Sequence, residues 1–362
     1  IIPLNQVLTM NQVVEKQVTP KADLLVDPGK IMQVGMGFWA SKTLLTAVNL
    51  GLFTYISENG KKDTEIIAEL GLHERSAHDF LDTLVALGFL EKSKLKTSTT
   101  YYNAADSNLF LDKNKPSYMG GILEMANHRL YPFWGNLEEA LKTGLPQNES
   151  KGGGKPLFEE LYADESRLKE FIQAMTGVQM GNFITFSRNF DFSEYNTMCD
   201  VGGSGASLSA QVAMNNDHMS CISFDLPPVE PIAQENIDGM QLGDRISIQS
   251  GDFFQDPLPR ADVITMGNIL HDWGLEEKKL LIKKAYEALP EGGAFVAIEN
   301  IIDDNREKNA FGLMMSLNML IETDSGFDFS FAEFDEWAKE AGFKETSIML
   351  LTGPSSAAIA IK

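Results

Sequence analysis

Between residues 195 and 362 the chain sets short apolar runs, TMCDV, SCISFD, ISIQS, ADVITM, GAFVAIEN, KETSIML and AAIAIK, against segments with apolar positions at helical spacing, such as LSAQVAMN, EEKKLLIKKAYEAL and FAEFDEWAKEAG. Strands alternating with amphipathic helices predict a βαβ sheet. Only TGPSS joins the last two runs, and a parallel crossover needs about a dozen residues, so this pair is expected to be antiparallel. The first hundred residues follow a different pattern. Residues 31–57 have helical spacing with a glycine break at Gly51. TEIIAELGL predicts a short helix ending at Gly71, SAHDFLDTLVALGFLEK a second from a Ser76 cap to Gly88, and FLEKSKLKTSTTYYNA a β-ribbon. Helix, turn, helix and two-stranded wing make a winged-helix pattern. Residues from about 104 to 190 read as helical, interrupted by the polar, glycine-rich connection PQNESKGGGKP. The predicted division is residues 1–110, 111–190 and 191–362.

Composition narrows the function. The 362 residues, 43% of them hydrophobic, can bury a sizeable core, and the formal charge of −21 disfavours nucleic acid and anionic membranes as partners. Two cysteines, Cys199 and Cys221, exclude a disulfide framework and fit a reducing compartment. No apolar stretch reaches the length of a membrane span, and IIPLNQVLTMNQ lacks the basic and apolar regions of a secretory signal, so a cytoplasmic protein is expected. The wing region carries Lys61, Lys62, Arg75, Lys92, Lys94 and Lys96, which favours a ligand-sensing DNA-binding regulator. Its second helix, however, holds Asp79 and Asp82 and no Lys or Arg, so the segment reads as a dimerisation module.

The chemistry concentrates where strands are predicted to end. CDVGGSGASLSAQV is a strand, a glycine-rich turn and a helix start, and glycine lets a ligand lie against the backbone. A dinucleotide fingerprint would add a third glycine at 208, where the chain has Leu. Asp225, 22 residues beyond Gly203, closes the second strand and suits a ribose diol; Asp252 follows the third and suits an adenine amino group, with Phe253 beside it. Adenine, ribose and no diphosphate describe S-adenosylmethionine, with a nicotinamide cofactor as the alternative. His271 in GNILHDWG ends the fourth strand region on the same edge. A phenol, of pKa about 10, needs a general base at neutral pH, and an imidazole of about 6.5 suits that task. A carboxylate should orient the ring, and Glu299 in VAIEN and Asp328 in SGFDFS are the candidates. Asp272 reads as part of a helix start with Gly274 and Glu277. His73, His78, His128 and His218 show no metal spacing, and no metal is expected.

DVGGSG, FDLP, GDFF and ILHDW, in this order behind a winged-helix half, resemble the plant-type and bacterial small-molecule O-methyltransferases, the family of the caffeate and acetylserotonin enzymes. The resemblance covers the chain from about residue 30. It implies a class I methyltransferase Rossmann-like sheet with an antiparallel last strand, and an α-helical dimerisation domain that forms an intertwined homodimer. It also implies S-adenosylmethionine as methyl donor, with S-adenosylhomocysteine as product. Gly202, Gly203, Gly205, Asp225, Leu226, Asp252, Phe253 and Gly267 then fall on cofactor contacts, His271 on the general base, and Glu299 and Asp328 on its flanking acids. Met125, Trp134, Phe158, Phe171, Met175, Met314 and Asn318 fall on the lining of a pocket for an aromatic acceptor. Three features depart from the family pattern. Gly267 and Asn268 stand where plant members have a Lys-Trp pair, the second flanking acid is Asp, and the middle residue of the loop is Ser204, tolerable if its φ is negative. The expected function is methylation of a phenolic hydroxyl, with transfer to nitrogen as the nearest alternative.

Overall fold

The computed structural model describes residues 27–95, 98–151, 153, 161–162 and 164–362. They divide into two compact units between Ser41 and Lys42. In the first, α1 (Gly29–Gly35) and the start of α2 (Gly37–Asn49) carry Ile31, Met32, Val34, Met36, Phe38 and Trp39, all largely exposed.

The second unit begins with small helices around an apolar cluster. Gly51, at φ 71°, breaks the helical run as expected and starts α3 (Leu52–Ile56). Strand β1 (Lys61–Lys62), α4 (Asp63–Glu69), α5 (Glu74–Ala86) and the hairpin β2 (Leu90–Leu95) and β3 (Ser98–Asn103) follow, with β1 adding a third strand beside β3. Leu52, Phe53, Ile56, Ile66, Leu81, Leu84 and Tyr101 fill the space between them. The start of α5 differs from the expected Ser76 cap. His73 is the cap and accepts from the Arg75 amide at 3.2 Å, which puts Ser76 inside the first turn. Asp82 pairs with Lys92 at 2.8 Å and accepts from the Tyr101 hydroxyl at 2.8 Å, so one of the wing's cations is already matched.

Helices α6 (Ala105–Phe110), α7 (Gly120–Met125), a π-helical turn (Ala126–Leu130), α8 (Tyr131–Trp134), α9 (Leu137–Thr143) and the long α10 (Glu165–Asn189) lead to the sheet. From there, β4 (Thr197–Val201), α11 (Ser207–Asn215), β5 (Ser220–Asp225), α12 (Glu230–Gly239), β6 (Ile246–Ser250), β7 (Val263–Gly267), α13 (Leu275–Ala288) and β8 (Ala294–Glu299) complete the parallel part. Then come α14 (Ala310–Glu322), α15 (Phe331–Ala341), β9 (Glu345–Leu350) and β10 (Ser356–Ile361). The seven strands lie in the order β6-β5-β4-β7-β8-β10-β9, and β10 runs antiparallel to both neighbours as the short TGPSS link requires. Both faces are buried, so the strands alternate between two apolar layers. Cys199, Ile264, Met266, Phe295 and Ala297 meet Leu281 and Ile282 of α13 and Phe334 and Trp337 of α15 on one side. Met198, Val263, Val296 and Ile298 meet α11 and α12 on the other. Cys199 and Cys221 are buried and unbonded to each other. No described helix is long and apolar enough to cross a membrane.

Phe295 is fully buried and stacks near Phe334 and Phe343. Phe295→Ala should lower the unfolding free energy by about 3–5 kcal/mol, read from urea denaturation. A loss under 1 kcal/mol would contradict this packing.

Candidate active site

The order of strands reverses between β4 and β7, and ligands of open α/β sheets settle in the crevice beyond the strand ends at such a point. In register, Val201 lies beside Phe224 and Met266, Asp225 beside Ser250, and Gly267 beside Ile298. The segments that follow β4, β5, β6, β7 and β8 therefore leave the sheet on one edge. They carry Gly202, Asp225, Asp252, His271 and Glu299.

The glycine loop is held by its own protein. A Cβ on Gly202 would lie 2.3 Å from Ile269, one on Gly203 2.4 Å from the Ser223 hydroxyl, and one on Gly205 2.7 Å from the Asn236 amide. Much of the glycine content thus serves close packing, which weakens the expectation that it signals a ligand alone. Ser204 has φ 51°, contrary to the negative value expected, and Ala206 has φ 60°. Two non-glycine residues in the left-handed region, with Gly202 at φ 72°, make a strained turn of the kind found at binding sites. Asp225 clamps it: one carboxylate oxygen accepts from the Ser204 amide at 2.8 Å and the other from Leu226 at 2.7 Å. Burial raises the Asp225 pKa against these two bonds, and no salt bridge reaches it among the described residues. A half-buried carboxylate with lone pairs to spare fits the two hydroxyls of a ribose. Asp252 accepts from the Phe254 amide at 2.8 Å, while Phe253 meets Phe254 and Trp273 edge-on. Gly267 ends β7, and Asn268 behind it has φ 52°.

His271 sits in a short 3-10 turn, Leu270–Asp272, and is almost fully buried. Its Nδ1 lies 3.4 Å from Glu299 Oε2 and 3.5 Å from Asp328 Oδ1, and its amide donates to Glu299 Oε1 at 3.3 Å. Asp328 is 1% exposed, so it is no solvated loop acid. It comes to Glu299 because the Ile302 amide, just past β8, donates to Phe329 O at 3.0 Å, and because its own amide donates to Ser316 of α14 at 3.2 Å. Asp272 does more than open a helix: its Oδ1 is 3.5 Å from Nε2, on the less buried side of the ring. Burial opposes the charged imidazole, but Glu299, Asp272 and Asp328 outweigh it and raise its pKa to about 10. Burial pushes Glu299 up to about 7 despite the nearby imidazole, and raises Asp272 as well. Nδ1, Glu299 Oε2 and Asp328 Oδ1 lie within 4.8 Å of one another, a spacing that also suits a cation. A proton held this tightly competes for the same lone pair and favours a proton there.

The loop carrying Asp328 presses on this turn. A Cβ on Gly326 would lie 2.6 Å from His271 O and 2.7 Å from Asp272 O, and one on Gly274 3.0 Å from the Ser325 hydroxyl. Of the predicted acceptor lining, Trp134 and Asn318 are joined by a hydrogen bond of 2.9 Å, which links α8 to α14. Met314, one turn before Asn318, is 51% exposed. Met125 and Met175 are half-buried on α7 and α10, which pack together. Phe171 stands apart: it packs on the cluster of Leu168, Ile172, Val229 and Ile232, beside the segment that follows Asp225. Phe158 lies outside the described residues. Arg129 of the π-helical turn bridges Glu149, at 2.5 and 2.8 Å, and Glu322 at the end of α14, at 2.9 Å.

Three residues of this region escaped the sequence reading. Asp272 was assigned to a helix start. Tyr162, whose pKa burial raises with help from the Asp225 and Asp272 charges, packs on the cluster that also holds Phe171. Lys278 is fully buried behind His271. A lysine at the Leu281, Ile282 and Ala285 stripe of α13 is the signal that could have found it.

The chain matches an O-methyltransferase domain model over residues 134–344 and an O-methyltransferase dimerisation domain model over residues 32–113. It is 39% identical to the tetracenomycin polyketide synthesis 8-O-methyl transferase of Streptomyces glaucescens, across 92% of this chain and 97% of the relative. It is 31% identical to the N,N-dimethyltransferase OxyT of Streptomyces rimosus, across 87% and 90%. The crystal structure of human N-acetylserotonin methyltransferase in complex with SAM superposes with a TM-score of 0.85 at 26% identity, covering 94% of this chain and 99% of that one.

Gly326→Ala should lower the melting temperature by several degrees, since a methyl group at 2.6 Å from a carbonyl oxygen must displace the turn. Gly243→Ala, which meets open space, is the control. Equal melting temperatures would remove the close approach of the Asp328 loop.

Proposed function

The chain belongs to the O-methyltransferase family, and from that premise we propose that it methylates a hydroxyl of a small aromatic metabolite with His271 as general base. Methyl transfer from S-adenosylmethionine is the activity of this family. The observation that carries the finer reading is the buried imidazole at the strand ends, with two acids on Nδ1 and Nε2 turned to the more open side. The likeness to an 8-O-methyl transferase of polyketide synthesis from Streptomyces glaucescens makes hydroxylated aromatics of the polyketide type the first acceptors to test.

Asp225 would hold the ribose hydroxyls of the donor, Asp252 and Phe253 its adenine, and the backbone of Gly202, Gly203, Gly205, Leu226 and Gly267 its remaining edges. When bound, the donor supplies a methyl group on a cationic sulfur that retains the electron pair of the breaking bond. His271 accepts the acceptor's hydroxyl proton at Nε2, leaving an oxygen nucleophilic enough for transfer. Glu299 and Asp328 fix Nδ1 as the protonated nitrogen and stabilise the imidazolium. Three carboxylates favour the charged ring, and any cation brought to the site opposes it, which poises the proton for release. Trp134 and Asn318, Met125, Met175 and Met314 line the acceptor side, in the helical segment 111–190 and α14. Phe171 is assigned to the donor side. The exposed apolar residues of α1 and early α2 fit burial against a second copy of the chain, in line with the dimerisation model.

The likeness to an N,N-dimethyltransferase keeps a second reading, transfer to nitrogen. A screen of labelled methyl donor with polycyclic phenols, catechols, hydroxyindoles and arylamines separates the two. Labelled amine without labelled ether would overturn the hydroxyl reading.

His271→Ala should lower kcat by about 10²–10⁴ while leaving the donor Kd within a few-fold. An equal loss of both would make His271 structural. Asp225→Asn should weaken donor binding by about 1.5–3 kcal/mol in calorimetry, and an unchanged Kd would remove it from the ribose site. Because the carboxylates raise the imidazole and its neutral form is the active one, kcat/KM should fall as pH drops through a limb above 6.5. Glu299→Gln should move that limb to lower pH; a limb that stays put would free His271 of Glu299's charge.

A further inference from the structure

Lys278 is fully buried on α13, its flanking residues Glu277 and Lys279 reaching outward. Its ammonium donates to the carbonyl of Trp273, two residues past His271, and lies 3.5 Å from the centre of the Phe327 ring, immediately before Asp328. The Phe329 ring is 5.9 Å away. One buried cation therefore grips both segments whose side chains meet at the imidazole. It forms no ion pair within 4 Å with Glu299, Asp272 or Asp328, yet all three act on its charge, as does Glu277. Burial draws its pKa down to about 8 against their pull.

We propose that Lys278 is a positioning residue for His271, one that ties the His271 turn to the Asp328 loop and weakens the carboxylates' hold on the imidazole proton. The inference rests on the reading of His271 as base. The charges that act on the ring are those of Asp272 on its own turn, Glu299 at the end of β8 and Asp328 before α15, and the same three carboxylates act on Lys278 of α13. The Asp272 charge also acts on Tyr162 and on Glu322, and Glu322 is already paired with Arg129. Among the described residues, Lys278 is the buried cation that shares these carboxylates with the imidazole. Like charges disfavour each other, so its ammonium makes the imidazolium easier to discharge. Without it, three carboxylates would hold the proton against a single histidine.

The test compares Lys278→Met, which keeps the length of the stem, with Lys278→Arg in the full chain. His271 is titrated by NMR, alongside the pH profile of turnover and donor binding by calorimetry. In the Met variant the His271 midpoint and the acidic limb should both rise by about one pH unit or more, with donor Kd unchanged. In the Arg variant both should stay near their original positions. A Met variant that folds and shows an unmoved midpoint overturns the proposal. Should that variant not fold, the coupling is read from the other side by titrating the Lys278 ammonium in the wild-type chain and in His271→Gln. Identical midpoints in those two chains overturn it equally. Full turnover in His271→Ala would sink the base reading alone, because the NMR titrations report on Lys278 without any catalysis.

Discussion

In the run β5-β4-β7-β8, Val201 lies beside both Phe224 and Met266, and Gly267 beside Ile298, so four chains leave the sheet within a few strand spacings of one another. Parallel pairing at this register is the constraint behind the whole site. Antiparallel strands would send alternate loops to opposite edges. Here the glycine turn, Asp225, the His271 turn and Glu299 are delivered to a common edge by backbone hydrogen bonds alone. Packing then sharpens the placement: Gly202 has no side chain because Ile269 occupies that space, which sets the glycine turn directly against the turn that carries His271.

Burial gives the cluster at that edge its character. In water, an imidazole and three carboxylates would titrate almost independently. Enclosed by β8, α13 and the Asp328 loop, they share their protons, and each group's charge depends on the others. Removing charges from water is costly, and a buried ionic set persists where its members satisfy one another and where function uses the tension. The left-handed backbone at Ser204, Ala206 and Asn268 is strain of the same kind, concentrated at the edge where the ligands are proposed to bind.

The wall proposed for the acceptor is built differently. It is assembled from short helices, a π-helical turn and α14, joined by the Trp134–Asn318 bond and the Arg129 bridge to Glu149 and Glu322. Such connections fix a wall without specifying what it faces, and relatives with the same domain carry names of both O- and N-methyl transfer.

All seven strands of the large sheet, the antiparallel last pair and the order of the motifs at the strand ends followed from the sequence, because alternation of apolar runs and helices is a local pattern with a fixed period. Asp225, Asp252, His271 and Glu299 were legible for the same reason: each closes a run whose end the pattern marks. The cap of α5 and the sign of φ at Ser204 were not, since they depend on which local bond wins once neighbours are in place. Asp272, Tyr162 and Lys278 needed the folded chain. Their sequence neighbours suggest a helix start, a loop and a solvated lysine-rich helix, and only packing puts Asp272 beside the imidazole and brings Tyr162 and Lys278 within reach of its carboxylates' charge. Distance along the chain carries no information about a field that acts through space; the tertiary structure alone decides which charges share the same dry volume.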